Sequence, residues 1–160
     1  MRWPYRYTVL VLCTVAFAAT MVARLAISPV VPDVVDTFAT SNAAVGLALS
    51  GMWAAYAVTQ FPSGLFGDRY GERRVILVAL AGTVLVSALL AFAPSYPFFL
   101  AGTVLLGVAT GLHYSVATTL ITRQFSAVGR AIGLHVAGGP VAGLVAPVAA
   151  AAVAARFGWR

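Results

Sequence analysis

An all-α polytopic membrane protein, a bundle of transmembrane helices, is the fold this sequence predicts, and three observations carry that expectation. Apolar residues make up 61% of the 160 positions and charged residues only 9%, a balance far from that of a water-soluble domain. The apolar residues fall into five runs, each close to the ~20 residues of helix that cross a hydrocarbon layer. Every charged residue except Arg24 lies in or beside the breaks between those runs. A membrane barrel would need strands of ~10 residues with alternating polarity, and these runs do not alternate.

The first span is expected over residues 7–30. Arg2 and Arg6 precede it, and Ala16-Phe17-Ala18 imitates a secretory cleavage triplet. The apolar run continues past the triplet to Ile27, which favours a retained span. A connection is expected over 31–42, containing Pro32, Asp33 and Asp36, with Ser41 or Asn42 placed to cap the next helix. The second span, 43–66, carries Trp53, Tyr56 and Gln60 at spacings of three and four on one face. The third, 75–92, is almost entirely Val, Leu, Ala and Ile, a composition suited to facing lipid. Residues 94–97 form a turn with Tyr96 at headgroup level.

The fourth span, 98–119, sets Thr103, Thr110, Tyr114 and Thr118 on one side, beside Gly107 and Gly111. A loop over 122–130 leads to the fifth span, 131–155, where Pro140 and Pro147 remove backbone donors and favour kinks. Gly107 with Gly111, Gly129 with Gly133 and Gly139 with Gly143 form Gly-x-x-x-Gly pairs, which let helix backbones approach closely.

The formal net charge is +6 and all ten basic residues are arginine. They are distributed by loop rather than gathered on one patch, so the partner implied is the lipid bilayer and not a nucleic acid. With the N-terminus in the cytoplasm, Arg2, Arg6, Arg69, Arg73, Arg74, Arg123 and Arg130 fall inside, and only Arg156 and Arg160 fall outside. A multi-pass cell-membrane protein whose segment ends outside is the expected topology. Cys13 is alone, which excludes a disulfide framework and a cysteine metal site. There is no HExxH, phosphate loop or Ser-His-Asp set, and the acids are confined to loops. The expectation is therefore a protein that is not an enzyme, with no cofactor and no metal.

Ionisable groups inside membrane helices are expensive, about 2.5 to 3.5 kcal/mol for Arg near a helix centre, and so are functional candidates. Arg24 is one, placed towards the outer end of the first span, where snorkelling to the interface is the alternative role. His113 and His135 are candidates for substrate binding or for coupling to a proton or other ion gradient, with a hydrogen-bonded structural role as the alternative. Tyr56, Gln60 and Tyr114 complete the candidate cavity, and packing is the default for Trp53.

Between the second and third spans, residues 64–74 read Gly-Leu-Phe-Gly-Asp-Arg-Tyr-Gly-Glu-Arg-Arg, which holds five of the fourteen charged residues. The spacing of Gly64, Asp68, Arg69, Gly71, Arg73 and Arg74 resembles the signature loop between the second and third helices of major facilitator superfamily transporters. The resemblance implies a gating element, with Asp68 and Arg69 as a latch and Arg73 and Arg74 as supporting charges. Helix order, loop lengths and the Phe157-Gly158-Trp159-Arg160 ending look like the first five helices of such a protein, the N-terminal portion of its fold.

Other family patterns match in part. Thr103 stands where the family often has an Arg linked to proton coupling. Gly139-Pro140-Val141-Ala142-Gly143 resembles the helix-kinking segment of antiporters, with Leu144 in place of a second glycine. The function implied is secondary active transport of a small solute by alternating access, completed by a missing C-terminal half or a second chain. The alternative is a non-transporting five-helix interaction protein or a truncated transporter-derived product.

Overall fold

The computed structural model describes residues 4–160; Arg2, part of the expected charge bias, lies outside them. Among the described residues there are helices and no strand: α1 (Tyr5–Leu25), a 3-10 turn (Ser28–Val30), α2 (Val31–Phe38), α3 (Asn42–Tyr70), α4 (Glu72–Ala91), α5 (Tyr96–Gln124), α6 (Val128–Val136) and α7 (Gly138–Phe157). They form five helical segments long and apolar enough to cross a membrane, at 5–38, 42–70, 72–91, 96–124 and 128–157. The all-α membrane bundle expected from the sequence is the fold found.

Three connections are more helical than the sequence suggested. Residues 31–38, expected as loop, form α2. Pro32 sits in its first turn, where a missing N–H costs nothing, and Asp33 complements the helix N-terminus. Ala39, at φ 46°, closes it, with Thr40 N–H donating to Val35 O at 3.1 Å. Ser41 then caps α3 by accepting from Ala44 N–H at 3.2 Å, so Asn42 is the first helical residue rather than the cap. The charged segment 64–74 is two helix ends joined through Gly71, whose φ of 88° is a conformation that favours glycine. Finally, α5 continues to Gln124.

The fifth span is interrupted at Ala137, between α6 and α7. Pro140 explains the position: it offers no N–H, and its ring opposes the carbonyl four residues back, that of Val136. Pro62 and Pro147 remain inside continuous helices.

Packing is tightest between α3 and α5. A Cβ on Gly107 would collide with the Met52 carbonyl, and one on Gly111 would lie 2.6 Å from the Tyr56 carbonyl oxygen. Ser63 Oγ donates to Leu112 O and Tyr96 Oη to Ala44 O, both at 2.6 Å. Such interhelical bonds contribute roughly 0.6–2 kcal/mol in a membrane. The other two glycine pairs behave differently. Gly129, Gly133 and Gly143 face open space, and close approach to α1 is made by Gly138 and Gly139, which abut Thr14 O and the Phe17 ring.

The core is layered. Val9, Leu10, Cys13, Ala117, Ile121 and Ala131 form one apolar cluster, and Ile27, Val30, Met52, Leu90, Phe99 and Leu106 are central to another. Along α1 and α5 a buried polar layer containing Thr20, Arg24 and His113 separates them, and α6 adds His135. Outward positions on α4 and α7, such as Leu77, Leu85, Leu144 and Val148, are exposed and apolar.

Candidate functional site

Arg24 sits near the middle of the first helical segment, because that segment continues to Phe38 instead of ending at residue 30. Its side chain is 1% exposed, so it does not snorkel. Nε donates to Thr20 O at 3.3 Å and Nη2 contacts Met21 Sδ at 2.7 Å. The guanidinium carbon lies 3.8 Å from the Tyr56 ring centroid and 4.6 Å from that of Trp53. The i, i+3 spacing of Trp53 and Tyr56 on α3 presents both rings to one cation, and their π faces offset part of its desolvation. Nη1 is buried without a partner. No carboxylate reaches Arg24: among the described residues the ion pairs are those of Arg123. A buried, unneutralised guanidinium with a free N–H group is chemically suited to accept a carboxylate.

The second half of the layer is aromatic. His113 on α5 and His135 on α6 are both fully buried, with ring centroids 6.1 Å apart. Phe17 of α1 stacks on His113 at 6.3 Å and 16°, and meets His135 at 5.1 Å. Tyr114 lies 5.4 Å from Phe17 and 6.1 Å from His135. None of the four imidazole nitrogens has a hydrogen-bond partner, which departs from a hydrogen-bonded structural role. The helix break after Val136 and the side-chain-free faces of Gly138 and Gly139 let α6 and α7 lie against α1 here.

Of the cavity candidates, the structure thus joins Arg24 with Tyr56, and His113 with Tyr114 and His135. Gln60 is half-buried about one turn beyond Tyr56 and is not among the groups touching the guanidinium. Thr103 and Thr110, expected on a polar face, are buried, and their hydroxyls donate to carbonyls of their own helix, Leu100 O and Leu106 O, at 2.8 Å. Phe17 was missed as a site residue, although Phe17, Thr20 and Arg24 share one face at spacings of three and four. A separate cavity of about 210 Å³, lined by Ile27, Val30, Leu90, Phe99 and Trp159, lies in the apolar cluster and lacks this polar chemistry.

At the opposite end of the bundle, Asp68 accepts from Arg123 Nη2 at 3.4 Å, and Arg123 Nη1 also pairs with Glu72. Arg123 therefore ties the end of α5 to the α3–α4 junction, a partnership with no sequence signature. Arg69 lies over its neighbour Tyr70 at 5.4 Å rather than against Asp68. Arg73 and Arg74 are exposed. A Cβ on Gly64 would lie 3.8 Å from Ser115 Oγ, within the α3–α5 contact. Of the kink residues, Gly139 is buried against Phe17, whereas Pro140 and Gly143 are exposed.

The sequence pattern of the Major Facilitator Superfamily matches residues 10–160. The chain is 27% identical over 139 residues to a hexuronate transporter of Bacillus subtilis, covering 86% of this chain and 33% of that protein. It is 33% identical over 120 residues to a gallate transporter of Pseudomonas putida, covering 73% and 26%. It is also 27% identical over 161 residues to the membrane sensor protein UhpC of Escherichia coli, covering 98% and 37%. The chain spans about a third of the length of these curated relatives. With nine-tenths of its residues inside the family pattern and a membrane helix bundle as its fold, this chain belongs to the major facilitator superfamily.

Proposed function

We propose that this chain is part of a transporter that carries a small organic anion across the cell membrane by alternating access, with Arg24 as the anion ligand. The observation that carries this reading is the buried guanidinium of Arg24, clasped by Trp53 and Tyr56, with no carboxylate partner and with Nη1 free. Hexuronate and gallate, named for two relatives, are both carboxylates, which agrees with that chemistry. In alternating access a site near the bilayer midplane opens to each side in turn as two helix bundles rock. The relatives are about three times as long as this chain, and the facing wall of the cavity is assigned to a further six-helix half or to a second chain. The Arg123 cluster at Asp68 and Glu72 is the gate on the side where Arg6, Arg69, Arg73, Arg74 and Arg130 gather, which the positive-inside bias makes cytoplasmic.

Uptake of radiolabelled glucuronate and gallate into proteoliposomes bearing the complete protein tests this. Arg24→Ala is expected to abolish uptake. Arg24→Lys, which keeps the charge but loses the planar fork and its stacking, is expected to reduce it at least about tenfold, the equivalent of one charge-assisted hydrogen bond. Wild-type uptake by Arg24→Ala would sink the reading. The similarity to a membrane sensor supports a second reading, in which the anion is bound and signalled without being moved. Anion binding with no uptake by the wild type would favour it.

A further inference from the structure

We propose that His113 and His135 form a paired-imidazole proton site whose occupancy is coupled to the anion held at Arg24, so that one proton enters with one anion. The inference rests on the anion reading above and extends it to the coupling chemistry. Its basis is the composition of the buried layer. The chain has four carboxylates, Asp33, Asp36, Asp68 and Glu72, and all lie on α2 or at the α3–α4 junction. Inside the bundle the groups that ordinarily exchange protons near neutral pH are His113 and His135. Their four ring nitrogens are buried and unpartnered, although a neutral imidazole carries both a donor and an acceptor. A proton added to either ring turns its acceptor nitrogen into a second, charged donor, and the lone pair of the other, still neutral imidazole is the acceptor the pair offers it.

The surroundings set the coupling. Arg24 on α1 is the charged group bearing on the pair, and Tyr114 on α5 packs on His135. Of the nearby titratable groups, Tyr56 on α3 packs on Arg24 and Cys13 lies one turn before Phe17 on α1, while α7 carries no titratable residue before Arg156 and Arg130 on α6 is exposed at the far end of that helix. Arg24 is the fixed cation, two turns along α1 from Phe17, or about 10 Å of helix rise. With Arg24 unneutralised, a proton on either histidine adds a second positive charge to a layer without carboxylates. An anion on Arg24 removes that opposition. By linkage, a proton on the pair must strengthen anion binding by the same factor. Two charged imidazoles with centroids 6.1 Å apart repel each other, so the pair holds one proton and not two.

The experiment is glucuronate binding to the purified complete protein by calorimetry, between about pH 8 and pH 6, a range in which a carboxylate probe stays ionised. Proton exchange is read in parallel from the dependence of the binding heat on buffer ionisation enthalpy. The expected result is affinity that rises as pH falls, by up to about tenfold per pH unit, with uptake of roughly one proton per anion. His113→Asn with His135→Asn is expected to bind without pH dependence and without proton uptake. Binding by the wild type that ignores pH and takes up no proton overturns the coupling and leaves the anion reading intact. A pH dependence unchanged in the double variant overturns the assignment to these residues. No binding at any pH overturns both readings together. Should the double variant fail to fold, His113→Asn and His135→Asn are measured singly: each is expected to flatten the pH dependence and lower the proton uptake, and wild-type uptake in both overturns the assignment to these residues.

Discussion

Gly111→Ala is the substitution for which the structure gives the sharpest expectation. The new Cβ would lie 2.6 Å from the Tyr56 carbonyl oxygen and 3.0 Å from Thr59 Cβ. Ordinary contact for carbon lies near 3.5 Å, so α3 and α5 must separate locally by about 0.5–1 Å. They cannot do so freely, because Ser63 to Leu112 and Tyr96 to Ala44 hold the same two helices on either side of the contact. The obstacle is backbone, which cannot rotate away as a side chain can. Overpacking of this kind costs about 1–3 kcal/mol. Gly143→Ala is the control within the same motif class: its Cβ would meet nothing within 4 Å, and removing a helical glycine gains up to about 0.5–1 kcal/mol. Thermal unfolding of the detergent-solubilised protein should show a clear fall in Tm for Gly111→Ala and none for Gly143→Ala. Because the displaced carbonyl belongs to Tyr56, Gly111→Ala should also weaken glucuronate binding where the protein still folds. Equal Tm values for the two variants would refute the contact reasoning.

Two smaller effects follow from the same packing. Arg123→Ala breaks both ion pairs at the α3–α4 junction; the Arg123 and Asp68 side chains are 57% and 67% exposed and only Glu72, at 17%, is shielded, so stability should fall by about 1 kcal/mol while the uptake rate changes. A Tm loss as large as that of Gly111→Ala would show the cluster to be structural rather than a gate. Ser63→Ala removes one interhelical hydrogen bond and should cost about 0.6–2 kcal/mol in thermal unfolding, and no measurable change would mean that the Leu112 carbonyl is satisfied within its own helix.

The helices were legible because hydrocarbon imposes length and apolarity on whatever crosses it, and five runs of that kind can be counted. Their ends were less legible. A hydropathy reading stops at the first charged residue, whereas α3 continues through Asp68 and Arg69 to Tyr70, where Gly71 permits the chain to turn at φ 88°. The segment 31–38 failed in the same way: Pro32 and two aspartates suggest a loop by composition, yet each occupies a position a short helix tolerates. Glycine pairs were visible as a pattern but not as contacts. Gly107 and Gly111 touch a neighbouring backbone, and Gly129 and Gly133 touch nothing.

The polar layer shows why a site of this kind is only half readable. Arg24 announced itself, since one charge in an apolar run needs an explanation. Tyr56 was legible as a cavity residue, but Trp53 was assigned to packing and Phe17 was missed, because both are ordinary residues for a membrane helix until the bundle sets Trp53 against Arg24 and Phe17 against the two histidines. The two histidines lie 22 residues apart on different helices, and their pairing depends on the break that Pro140 imposes on the fifth span. Pro140 was legible as a kink, but its consequence lies one turn back and across the bundle, where His135 meets Phe17 and His113. The residue that carries the pattern is therefore not the one that carries the chemistry. Replacing Pro140 by alanine would restore an N–H able to bond Val136 O and straighten the span, and the physical reading requires that change to disturb the histidine pair more than the exposed position of Pro140 suggests.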